Sequence, residues 1–211
     1  MKMDIRTTIQ SDIFDYQTLM LALKGYSRPR SKVTALLASG DIIRVRKGLY
    51  VFSDDLRKGR LSREVLANLI YGPSYVSLES ALSYYGLIPE CPVIVTSVTT
   101  GRTRRYDTPV GYFRYQMLPL PAYRVGMDIA ADGNSQYLIA RPEKALADFV
   151  AQNRNISFTS CRAMERFLLE ECRVDEESLM SLSLSTLDSI ASHYTRKKVT
   201  LLAETLRRLQ S

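Results

Sequence analysis

Cations and hydroxyl groups crowd one stretch of the chain: Ser27, Arg28, Arg30, Ser31, Lys32 and Thr34, then Arg44, Arg46 and Lys47. No nucleophile there has a base beside it. Guanidinium, ammonium and hydroxyl donors at this density suit phosphate oxygens and base edges, which makes nucleic acid the first candidate ligand. A second basic group, Arg102, Arg104 and Arg105, stands in the polar run TTGRTRRYD, read as a loop between strands. Two readings of it stay open: an extension of a phosphate-binding track, or an ordinary solvated loop. Arg196, Lys197 and Lys198 open the last helix, where cations oppose the helix dipole; simple solvation is the expected state, and service to a partner the alternative.

The distribution of charge agrees. The 211-residue chain carries a formal net charge of +7. Between Lys24 and Arg63 stand eleven basic residues against only Asp41, Asp54 and Asp55, so the rest is close to neutral. Such a concentration favours a polyanionic partner.

The elements that must position these groups can be read from spacing. Val33, Leu36 and Leu37 recur at helical intervals, so a helix from about Arg28 to Ser39, stopped by Gly40, turns Arg30, Ser31, Lys32 and Thr34 outward. Ser27 is placed to cap it, and Pro29 suits its first turn because the missing N–H would be unpaired there. Then IIRVR alternates apolar and basic residues, Lys47-Gly48 makes a tight turn and LYVF returns, a hairpin with Arg44, Arg46 and Lys47 on its exposed face and tip. From Ser11 to Gly25, Ile13, Phe14, Leu19, Leu21 and Leu23 fit a preceding helix. This is the order of parts in a winged helix-turn-helix, whose second helix enters a major groove by its N-terminal half.

The polar run SDDLRKG (53–59) is read as a linker, giving a winged helix-turn-helix over 1–54 and a larger domain over 55–211. In that domain a helix follows on Leu61, Val65, Leu66 and Leu69. Another carries Leu78, Ala81, Leu82 and Tyr85. PVIVTSV is a buried strand, RRYDTPVGYFRYQ turns as a hairpin at Pro109 and Gly111, QYLIA is a short strand and Pro142 opens a helix. From about 154 the chain is a helical tail, whose last helix sets Val199, Leu202, Ala203, Leu206 and Leu209 on one stripe. The expected fold class is α+β: an N-terminal winged helix-turn-helix, then a mixed α/β C-terminal domain.

Catalytic chemistry finds little support. His193 is the sole histidine, no P-loop or dinucleotide fingerprint occurs, and Cys91, Cys161 and Cys172 are too scattered for a metal site or a disulfide framework. No cofactor, metal or catalytic residue is expected. Glu79, Glu143, Lys144 and Asp148 could line a pocket, but capping and salt bridging at helix starts is the favoured reading. Tyr112 and Tyr115 beside Arg114 could stack on single-stranded bases, although a sheet with one wet face is commoner. With no apolar run of membrane-spanning length and no signal-peptide core, the expected compartment is the cytosol, without a membrane partner.

Four strings stand in one order: GYSRPRSKVTALLASGDIIRVRKGLYVF, YVSLESALSYYGLIPE, TTGRTRRYDTPVGYFRYQ and RPEKALADFV. Together they resemble the AbiEi family, the antitoxin and transcriptional-regulator component of bacterial abortive-infection type IV toxin–antitoxin systems. The resemblance spans about Phe14 to Val150. It implies a winged helix-turn-helix that binds inverted repeats in double-stranded operator DNA and represses its own operon, with a C-terminal domain needed for antitoxin activity. It also implies a nucleotidyltransferase-like toxin, countered without a stable complex. By position, Arg28, Arg30, Ser31, Lys32 and Thr34 fall on the recognition helix, and Arg44, Arg46 and Lys47 on the wing. The alternatives are a stand-alone regulator, a module that binds the toxin directly, or an enzyme that modifies it.

Overall fold

Residues 5–133, 135–153 and 158–211 are described by the computed structural model, which builds them around two hydrophobic cores joined by a shared hairpin. The first core lies among α1 (Ile5–Thr8), β1 (Ile13–Asp15), α2 (Tyr16–Ala22), α3 (Pro29–Ala38), β2 (Ile42–Arg46) and β3 (Leu49–Phe52). The strands form an antiparallel sheet in the order β1-β3-β2. The single helix expected from Ser11 to Gly25 is corrected: Ile13 and Phe14 pair in β1 with Val51 and Tyr50, and the helix begins only at Tyr16. Asp15 divides the two by accepting from the Thr18 amide at 2.7 Å, an N-cap bond that holds its carboxyl below the usual range. Leu21, expected in the apolar set, is 65% exposed.

Both faces of β3 are buried. Tyr50 and Phe52 point into the N-terminal core, whereas Leu49 and Val51, with Val45 from β2, join the core of the rest of the chain. The segment after β3 is docked rather than loose. Leu56 packs on the N-terminal core, and the Lys58 amide and ammonium donate to Asp12 and Gln10.

The larger core surrounds a mixed six-stranded sheet, in the order β6-β7-β5-β4-β9-β8. Its strands are β4 (Ser74–Val76), β5 (Ile94–Thr99), β6 (Arg104–Thr108), β7 (Gly111–Met117), β8 (Met127–Asp132) and β9 (Ser135–Ala140). PVIVTSV supplies β5, inside the sheet, and the hairpin turning at Pro109 and Gly111 is β6–β7, both as expected. On one face lies α4 (Arg63–Ile70), where the buried Tyr115 hydroxyl donates to the Ala67 carbonyl at 2.6 Å. Leu66, Ala67 and Ile70 face inward, while Leu69, expected to, is 51% exposed. On the other face lie α5 (Leu78–Tyr84) and α7 (Pro142–Gln152), with the short α6 (Leu120–Tyr123) after β7.

The chain ends in a helical tail. α8 (Cys161–Arg166) runs into a π-helical turn at Phe167–Glu171, followed by α9 (Glu176–Met180), α10 (Leu184–Ala191) and α11 (Lys197–Leu209). Val199, Leu202, Ala203 and Leu206 make the buried stripe of α11 that their spacing predicts, with Leu209 half-buried at its end. The expected start of the tail at about 154 lies outside the described residues. Among those described, no helix is long and apolar enough to cross a membrane.

Candidate nucleic-acid interface

Val33 and Leu36 anchor α3 in the N-terminal core, with Leu37 half-buried beside them. The opposite side is open: Arg28, Arg30, Ser31 and Thr34 are exposed, and the Thr34 hydroxyl donates to the Arg30 carbonyl at 3.3 Å. Lys32 is half-buried, its ammonium 5.8 Å from the Tyr26 ring, so it sits at the edge of that side. Ser27 does not cap the helix. Arg28 occupies the N-cap position without a side-chain cap bond, and Pro29 is the first helical residue as expected. The Ser27 side chain is exposed. Ala35 and Ala38, passed over in the sequence because they are apolar, are also exposed. With Ser31 and Thr34 they complete an i, i+3, i+4, i+7 stripe, small enough for close approach to a thymine methyl.

The hairpin departs from its expected pattern at one residue. Strict alternation would put Arg44 and Arg46 on one face, but a β-bulge between them makes Arg44 the partner of Tyr50 and Arg46 the partner of Leu49. The extra residue, Val45, sends Arg46 to the side that packs on the larger core, where its guanidinium donates to the Ile70 carbonyl at the end of α4. Arg46 is exposed, as expected, but it stands on the opposite face of the strand from Arg44 and its guanidinium braces the hairpin against the body. Arg44 and Lys47 are exposed. Gly48 turns with φ +87, and its carbonyl accepts from the Tyr16 amide at 3.0 Å, which pins the hairpin tip to the start of α2.

Of the basic group expected in a loop, Arg104 and Arg105 stand on β6, at the sheet edge, as the hairpin string RRYDTPVGYFRYQ also allows, and only Arg102 precedes the strand. Successive strand residues point to opposite faces. Arg104 is registered with Tyr115 on the α4 face, its guanidinium 5.8 Å from the Tyr71 ring, next to the Ile70 carbonyl that binds Arg46. Arg105 is registered with Arg114 on the α5 face and bonds Asp107 at 2.9 Å. Arg104 thus shares the α4 face, where Arg46 also bonds, and Arg105 lies on the opposite face. Tyr112 and Tyr115 are likewise on opposite faces, the latter buried, so they form no common stacking surface.

The favoured reading of the α7 polar residues holds, and more deeply than spacing indicated. Lys144 and Asp148 form a fully buried ion pair at 2.8 Å. Asp148 Oδ2 also accepts from the hydroxyls of Tyr75 at 3.0 Å and Ser77 at 2.8 Å, while Oδ1 accepts from Tyr194. Burial pushes the Lys144 ammonium down despite the carboxylate beside it, and burial with the Asp148 charge pushes both tyrosines well up. Glu143 accepts from the Ser183 amide at 2.9 Å at the start of α10. Sequence reasoning missed Tyr75, Ser77 and Tyr194, which reach the pair from β4, its edge and the α10–α11 connection. His193 is exposed and its Nδ1 lies 2.9 Å from the Ser189 carbonyl. Among the described residues, no three His, Cys, Asp or Glu side chains gather as metal ligands.

Comparison with protein-family models and with curated proteins found no match.

Proposed function

We propose that the chain is a double-stranded DNA-binding regulator whose N-terminal unit is a winged helix-turn-helix, with α3 entering the major groove. In keeping with the AbiEi-like strings, we further propose that it represses its own operon and serves as the antitoxin to a nucleotidyltransferase-like toxin. The observation that carries the DNA reading is the outer side of α3: Arg28, Arg30, Ser31 and Thr34 exposed on a helix whose other side is anchored in the core. The order helix, strand, helix, helix, hairpin and the sheet order β1-β3-β2 support the same reading. Exposed Arg44 and Lys47 on the hairpin, with Arg104 on the sheet edge, would supply phosphate contacts flanking the groove.

Fluorescence anisotropy with the DNA upstream of the gene tests this. Tight binding to that DNA and weak binding to a scrambled duplex at physiological salt is the expected result. Arg30→Ala should cost about 1–3 kcal/mol and relax preference at one base pair. Equal binding of both duplexes would refute a sequence-reading role.

A further inference from the structure

A second site lies on the face of the sheet away from α4. Glu79, Arg114, Gln116, Phe149 and Gln152 line an open cleft of about 550 Å³, of the size that holds small organic ligands. At its floor Arg114 Nη2 donates to Glu79 Oε1 at 2.8 Å. That single bond leaves Glu79 Oε2 and Arg114 Nε buried without a hydrogen-bond partner. Orphaned buried atoms on a charged pair are uncommon and call for an explanation. Both side chains are about one-third exposed, so the pair is reached from the cleft.

The backbone behind the pair is held firmly. Leu78, which precedes Glu79, adopts φ +57, a left-handed conformation disfavoured for a bulky residue. Thr96, the register partner of Arg114 on β5, fixes the start of α5: its hydroxyl donates to the Ser77 carbonyl at 2.8 Å and accepts from the Ser80 amide at 3.0 Å. The Gln152 amide is oriented by donating to the Met117 carbonyl at 2.8 Å. Phe149, whose ring lies 6.2 Å from that of Phe167 and nearly parallel to it, lines the cleft. Strained backbone, a braced carboxylate and oriented planar side chains are the marks of a preorganised polar site.

We infer that this cleft binds a nucleobase. Its one carboxylate and one guanidinium cancel in charge, so it favours a neutral ligand over a free phosphate. Glutamate, arginine and glutamine are planar groups that pair with adjacent donors and acceptors on a base edge, and Phe149 offers a stacking surface. The base can come from a free nucleoside or from an unpaired residue of single-stranded nucleic acid. The site is separate from the proposed DNA-reading helix and does not depend on that reading.

Calorimetric titration of the full chain with the four ribonucleosides, and with short single-stranded oligonucleotides, tests the inference. The expected result is saturable binding with a preference for one base. Binding by nucleoside identifies a free ligand; binding by oligonucleotide alone identifies a base within a strand. Glu79→Gln and the milder Gln116→Ala should each weaken binding about tenfold or more while leaving circular dichroism unchanged. Gln116→Ala lies outside the ion pair and serves if Glu79→Gln disturbs folding. Absence of binding by every nucleoside and oligonucleotide, or unchanged affinity in Gln116→Ala, would overturn the inference.

Discussion

Replacing Asp148 by asparagine removes one charge from a carboxylate that receives four donors, from Tyr75, Ser77, Lys144 and Tyr194. The shape is kept, but the Lys144 ammonium, fully buried, loses its counterion. Its cheapest escape is to give up its proton. For a lysine of ordinary pKa near 10.4, that costs about 5 kcal/mol at pH 7, close to the range for breaking a buried pair. Lys144→Met should cost less, about 1–3 kcal/mol, because three hydroxyls still donate to the carboxylate. Urea unfolding followed by circular dichroism measures both. The Asp148→Asn deficit should shrink as pH rises from 7 to 9: a lysine with a lowered folded pKa binds its proton more tightly when unfolded, so stability increases with pH in that interval. If Lys144→Met proved the costlier substitution, or the Asp148→Asn deficit were independent of pH, the reading of this cluster as a carboxylate-centred network would be wrong.

The bulge separates two neighbours: Arg46→Ala should lower stability by about 1–2 kcal/mol and leave the salt dependence of DNA binding unchanged, whereas Lys47→Ala should leave stability unchanged and reduce the salt slope by about one unit. Parallel denaturation and anisotropy series separate these outcomes. Arg104→Ala should weaken DNA binding about uniformly across sequences and Arg105→Ala should not, in the same anisotropy assay. Gly126 has φ +73, and a Cβ there would meet Lys144 Cβ and Ile190 Cδ1 at 2.9 Å, so Gly126→Ala should cost about 2–4 kcal/mol by urea unfolding. Burial raises Tyr75, Tyr115, Tyr123, Tyr137 and Tyr194, and Tyr85 to about 12, so these keep protons that the unfolded chain releases near pH 10. Stability should be full below that pH and fall above it, against the smaller opposing effect of Lys144, and tyrosinate absorbance should rise together with unfolding.

Helical spacing made α3 legible because its anchors, Val33 and Leu36, are local. The same locality found the α11 stripe. What escaped depended on partners far along the chain. β1 spans only Ile13–Asp15, and its three residues become a strand because β3 is there to pair with. The bulge at Val45 is a property of two strands, so alternation in IIRVR alone misassigned Arg46. Arg104 and Arg105 resembled a loop because an edge strand is free to be polar. The burial of Lys144 is completed by Tyr194, and the Glu79–Arg114 pair joins α5 to β7; neither contact leaves a periodic trace.

Because β3 gives Tyr50 and Phe52 to one core and Leu49 and Val51 to the other, the two halves of the molecule are thermodynamically one piece. Severing the chain after Asp54 would not release a clean reading head; it would bare the underside of the hairpin, an adhesive surface prone to self-association. Scanning calorimetry should accordingly record one transition rather than two. Evolution cannot readily exchange the tip of such a protein for another as it would a module on a tether, since each new hairpin must also fit the body beneath it.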